Sequence, residues 1–125
     1  FVGTGPPVLL VDTSVWIDHF RKSNARLKTL LSEQEIVLHP FVIGELALGT
    51  RSTGSAWFSL VEQLPQVPQA SHEEALHFVE QHALGGSGIG WVDVHILCGA
   101  ILARVQLWTL DRRLAAVAQR LGIAA

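Results

Sequence analysis

Four acidic residues, Asp12, Glu45, Asp93 and Asp111, are the side chains of this sequence best placed to do chemistry together. Asp12 directly follows the apolar run Val8-Leu9-Leu10-Val11, and Asp111 lies two residues past Val105-Gln106-Leu107-Trp108-Thr109. Both runs read as buried parallel strands. Glu45 falls in the second turn of a helix that should leave the strand Ile36-Val37-Leu38-His39, and Asp93 in the first turn of a helix that should feed the Val105 strand. Ligands of open parallel sheets bind beyond the carboxyl ends of the strands, near the topological switch point. All four acids are expected on that rim. Taken singly, each has a plainer reading as a helix cap, a polar helix face or a complement to a helix dipole. Together they crowd negative charge, since two unit charges ~4 Å apart repel by ~4 kcal/mol at an effective dielectric near 20. A hard divalent cation, Mg²⁺ or Mn²⁺, relieves that repulsion and suits phosphoryl chemistry.

The elements that must position these acids alternate along the chain. A strand over 8–11 leads into a helix over about 15–21, started by one of Asp12, Thr13 or Ser14. A second helix opens at Asn24 with Leu27, Leu30 and Leu31 on one face. The strand 36–39 meets Pro40, suited to a first helical position, and the helix 41–48 stops at Gly49. A helix over 55–64 follows, then a very short edge strand at Gln66-Val67-Pro68. Ser71 and Glu74 form a capping box that opens a helix through 83. A glycine-rich loop, 85–90, precedes the long helix from 91 or 92 to 103. After the strand 105–109 comes a last helix closed by Gly122, with a terminal strand at 123–125. This alternation predicts one three-layer α/β/α domain over 1–125 with a mostly parallel central sheet. Residues 1–7 lack an initiator Met and are read as disordered, expression-derived or a shifted start.

Composition narrows the function. The chain has 125 residues, 49% hydrophobic and 16% charged, with a formal net charge of -2. That is a packed globular domain, and one unable to hold nucleic acid by bulk positive charge. Binding of that kind would need a local basic patch or bound cations. The single cysteine, Cys98, excludes an intrachain disulfide and sits in an apolar run, so a buried inert thiol and a reducing, cytoplasmic setting are expected. No stretch is long and apolar enough to predict a membrane span.

Four segments resemble the PIN-domain family, and within it the VapC-type toxin ribonucleases: Val11-Asp12-Thr13-Ser14-Val15-Trp16-Ile17-Asp18, Ile43-Gly44-Glu45-Leu46, Val92-Asp93-Val94-His95-Ile96-Leu97 and Leu107-Trp108-Thr109-Leu110-Asp111. They span nearly the whole chain in the family's order. The resemblance implies that Asp12, Glu45, Asp93 and Asp111 bind one or two Mg²⁺ or Mn²⁺ ions, with Ser14 and Thr109 as hydroxyls beside them. It further implies an endoribonuclease whose metal-activated water attacks RNA in line, leaving a 5′-phosphate and a 3′-hydroxyl. A VapB-type antitoxin and a homodimer are implied as well. Arg112, Arg113, Arg21 and Lys22 are candidate phosphate contacts, each equally readable as a solvated helix-end charge.

Other signals are set aside. His72 and His77 stand five apart on a helix, ~140° apart around it, so they do not share a zinc ion. The loop 85–90 follows a helix and does not match a dinucleotide motif; it reads as a hinge before Asp93, near RNA. Trp16 and Trp108 are expected in the core, Trp57 and Trp91 at a more open, partner-facing surface. The alternative to an enzyme is a PIN-like module that binds RNA or protein without catalysis. A haloacid-dehalogenase-like phosphatase needs a second Asp at position 14, which is Ser, and a receiver domain needs a Lys after the late strands.

Overall fold

The computed structural model describes residues 8–49 and 54–125, with side chains of the helix that begins at Gly54 described from Phe58 onward. The expectations for residues 1–7 and for the side chain of Trp57 lie outside the described residues. Three parallel strands form the sheet: β1 (Leu9–Val11), β2 (Ile36–Val37) and β3 (Gln106–Trp108), in the order β2-β1-β3. Helices α1 (Thr13–Lys22) and α2 (Ala25–Ser32) join β1 to β2. Helices α3 (Pro40–Gly49), α4 (Gly54–Glu62), α5 (His72–Gln81) and α6 (Trp91–Ala103) lie between β2 and β3, and α7 (Arg112–Arg120) follows β3. The α/β architecture is the one expected.

The connection from β1 to β2 and that from β2 to β3 run in opposite directions across the sheet. Right-handed crossovers then put their helices on opposite faces. The division is not complete, for α1 of the first connection lies on α3 of the second and α3 on α4, whereas α5 lies on α6. The reversal also makes the gap between the carboxyl ends of β1 and β3 the topological switch point.

β1 is apolar on both faces because both are covered, and Leu9, Leu10 and Val11 are all buried. α6 is apolar nearly all round, and every residue from Val94 to Ala100 is buried, as suits a helix inside the core. Each fully buried Leu or Ile of this kind contributes about 1.5–3 kcal/mol through burial. Gly99 lets α6 come close to the β2 side: a Cβ there would stand 2.7 Å from Val67 Cγ2 and 2.9 Å from His39 Cδ2.

Two predicted strands shrink. Residues 66–68 make only a parallel bridge, Gln66 to Leu38, and 123–125 only the bridge Ala124 to Leu107. The second strand stops at Val37, with His39 instead turned so that its Nδ1 accepts the Phe41 N–H at 2.9 Å, at the start of α3. The Ser71–Glu74 capping box forms as read, with bonds of 2.8 and 3.1 Å. Cys98 is buried, and burial pushes its thiol up to about 11. Trp16 and Trp108 are in the core, while Trp91 is half-exposed and stacks edge-on against His95 and His72.

Candidate active site

Asp12 leaves the end of β1 and caps α1, and its side chain is buried. Its backbone N–H donates to Trp108 O at 2.9 Å, tying the ends of β1 and β3 together. Two hydroxyls converge on one carboxylate oxygen: Ser14 Oγ donates to Oδ2 at 2.8 Å and Thr109 Oγ1 donates to it at 2.7 Å. Each hydroxyl has a single proton, so both also act as acceptors: Ser14 Oγ receives Leu110 N–H at 2.9 Å and Thr109 Oγ1 receives Asp111 N–H at 3.1 Å. Residues from the two ends of the chain are thereby locked into one polar corner.

Asp111 caps α7, and its Oδ1 accepts the N–H groups of Arg113 and Leu114 at 2.9 and 3.1 Å. Asp93 accepts the Gly90 N–H on Oδ2 at 3.0 Å, closing the turn that begins α6. Glu45 is exposed on α3 and accepts the Thr13 hydroxyl on Oε1 at 2.7 Å. One regularity covers all four. Among the described residues, a single oxygen of each carboxylate takes all the protein hydrogen bonds, and the second receives none. One oxygen of each group thus sets its orientation.

Electrostatics connects the four acids. Asp93 has its carboxyl pushed above the usual range, first by burial and then by the negative charges of Asp12, Asp111 and Glu45, against a lowering pull from the Gly90 N–H. A set of oxygen donors that repel one another in this way fits a hard divalent cation and not a soft one. As the side chains stand, among the described residues no three His, Cys, Asp or Glu side chains are close enough to enclose an ion. A cation held by three of them would require their side chains to draw inward.

The basic candidates divide. Arg112 and Arg113 begin α7 beside Asp111 and line a cleft there. Lys22 pairs with Asp18 at 3.4 Å, at the far end of α1 from Asp12. Arg21 lines a separate cleft with Ile17, Phe20 and Gly49. Sequence reasoning missed the Thr13–Glu45 bond. Its only signal was a hydroxyl residue next to Asp12, indistinguishable from a cap. It also missed the ring series His39, Phe41, His95, Trp91, whose successive centroids are 4.8, 5.0 and 4.9 Å apart. Within it, His39 Nε2 and His95 Nδ1 are buried without a hydrogen-bond partner. Burial, helped by His95, pushes His39 down to about 4.

Comparison with known proteins gives the family and the fold. The PIN domain family model matches residues 9–120. Ribonuclease VapC32 of Mycobacterium tuberculosis, in the CDC 1551 / Oshkosh and the ATCC 25618 / H37Rv strains alike, is 42% identical over 118 residues, 94% of this chain and 95% of the relative. The crystal structure of PAE2754 from Pyrobaculum aerophilum shares the fold, with a TM-score of 0.61 at 16% identity, over 98% of this chain and 91% of that one. With both family model and relative spanning the segments that carry the four acids, this chain belongs to the PIN-domain family and is a VapC-type member of it.

Proposed function

We propose that this protein is a divalent-cation-dependent endoribonuclease, the toxin of a VapBC-type pair, with Asp12, Glu45, Asp93 and Asp111 as its cation-binding and catalytic carboxylates. The observation that carries the reading is the division of labour within each carboxylate, one oxygen fixed by the protein and one left over, at the switch point between β1 and β3. Its similarity to a ribonuclease supports the substrate class.

When bound, Mg²⁺ or Mn²⁺ would polarise the phosphate and help to ionise water. The chain supplies the rest. Asp12 presents its free oxygen in a fixed direction because Ser14 and Thr109 hold the other. Asp111 is held by two backbone N–H groups, and Asp93 by one. Glu45, exposed and tethered among the described residues through Thr13 alone, is the group able to swing and take the proton of the attacking water. The reaction opens one phosphodiester bond with one water, giving a 5′-phosphate and a 3′-hydroxyl.

The test is cleavage of RNA by the purified protein. EDTA should abolish it, Mn²⁺ or Mg²⁺ should restore it, and folded Asp12→Asn should cut at least about 100-fold more slowly. Parent-like cleavage by that variant would refute the assignment. One observation favours a second reading, a binding module without catalysis: no three acids among the described residues already enclose an ion. A protein that neither cuts RNA nor shows a thermal shift with Mn²⁺ would be that module. A VapB-type antitoxin and a homodimer belong to the same proposal. Both are consistent with exposed apolar side chains such as Leu48, 91% exposed, and are checked by co-purification and light scattering.

A further inference from the structure

Three arginines of α7, Arg112, Arg113 and Arg120, stand on one side of the molecule without a carboxylate partner; the only ion pair among the described residues is Lys22–Asp18. In a chain of net charge -2 this is a local excess of positive charge. With Ser87, Ala116 and Val117 the three line a cleft of about 340 Å³. Arg112 is the residue after Asp111, so the cleft begins beside the acids. Arg120 lies two helical turns farther on, ~12 Å along the axis.

The cleft is held in shape by interactions that leave its donors free. Arg120 Nη2 donates to His82 O at 2.9 Å, which anchors one corner of the guanidinium; among the described residues its other N–H groups have no hydrogen-bond acceptor. The Arg113 side chain lies against Gly88, whose φ is +86°. A Cβ at Gly88 would meet Arg113 Cδ at 2.9 Å and Nε and Nη1 at 3.2 Å. Ser87 Oγ, on the wall, is buried and has no partner. Forked guanidinium donors suit the paired non-bridging oxygens of a phosphodiester.

We infer that this cleft is a phosphate subsite for single-stranded RNA, gripping the backbone of the nucleotides next to the bond that the acids cut. Arg112, Arg113 and Arg120 contact successive phosphates, and Gly88 is a positioning residue that seats Arg113. The inference rests on the proposed cleavage site at the four acids, and it extends the substrate's path along α7.

The experiment is fluorescence anisotropy of a labelled 12-nucleotide single-stranded RNA bound to folded Asp93→Asn protein across a salt series. Arg120→Ala should weaken binding ~5–10-fold at low salt and flatten the plot of log K against log salt by ~0.7, as expected when one phosphate fewer is neutralised on a single strand. Gly88→Ala should weaken binding as much as Arg113→Ala, and the double variant no further. Lys28→Ala, an exposed charge on α2, should leave the slope alone. Arginine variants no different from Lys28→Ala would overturn the inference. So would Arg120→Ala protein that holds RNA like the parent but no longer retains a co-purifying antitoxin, since that marks a protein-binding cleft. The acid-site reading fails separately, through undiminished RNA cleavage by Asp93→Asn.

Discussion

The two sides of the candidate site are built differently. At the β1–β3 corner, Asp12 and Asp111 are joined through Ser14 and Thr109 in a network that ties the start of the chain to its end. On the β2 side, Glu45 stands exposed on α3 and is tethered by a single hydroxyl. Asp93 feels the charge of both sides. Preorganisation of the site is therefore unequal. The β1–β3 corner is held by the chain's own hydrogen bonds, so closure onto a cation, as the proposed function requires, would come mainly from the β2 side.

This contrast is open to direct attack. The largest expected effect is at the fixed corner: Asp111→Asn should lower RNA cleavage at least about 100-fold, whereas Glu45→Gln should lower it ~10-fold. Equal losses would erase the distinction. Next, Thr109→Val should cost ~10–100-fold in activity or Mn²⁺ affinity by freeing the Asp12 carboxylate, a loss that excess Mn²⁺ partly restores. Thr13→Val, loosening only the mobile acid, should cost less than either.

Two predictions concern stability. His39, at the end of the β2 side, has its pKa lowered from 6.5 to about 4, so the folded protein holds it neutral while the unfolded chain takes up a proton near pH 6.5. Stability is therefore complete above pH 6.5, falls by up to about 3 kcal/mol as the pH drops toward 4, and is flat below that as far as His39 is concerned. His39→Asn keeps an acceptor for the Phe41 N–H and should flatten the decline seen in urea titrations between pH 7 and 4.5. The smallest effect is at Asp93. Its raised pKa means the fold disfavours its charge, so in EDTA at pH 7 Asp93→Asn should melt slightly above the parent, and Mn²⁺ should reverse the order. A parent-like ranking in both conditions would show that the acids do not oppose one another.

Much of this was legible because strand ends and acids coincide in the sequence. An apolar run stopping at Asp12, and another stopping just before Asp111, fix two carboxylates at one sheet edge once the strands are parallel. The alternation of elements gave the layers for the same reason. What stayed hidden depends on contacts between distant residues that no local pattern encodes. Thr13 meets Glu45 only because α1 packs on α3, and Gly88 meets Arg113 only because the loop before α6 folds onto α7. The strands expected at 66–68 and 123–125 do not form as such. Residues there have strand-like composition, but each segment makes a single bridge, and Pro65 can only accept, taking the Leu38 N–H at 2.9 Å.

The missing side chain at position 99 reaches farther than its own surroundings. α6 is a stiff rod whose first turn carries Asp93 and whose middle rests on Val67 and His39 with no room for a methyl group. Gly99→Ala would lever the rod away from that fulcrum and swing its leading end. A methyl group distant from the carboxylates would thus re-aim one of them, so the proposed active site depends on how tightly its core closes as well as on the residues that form it.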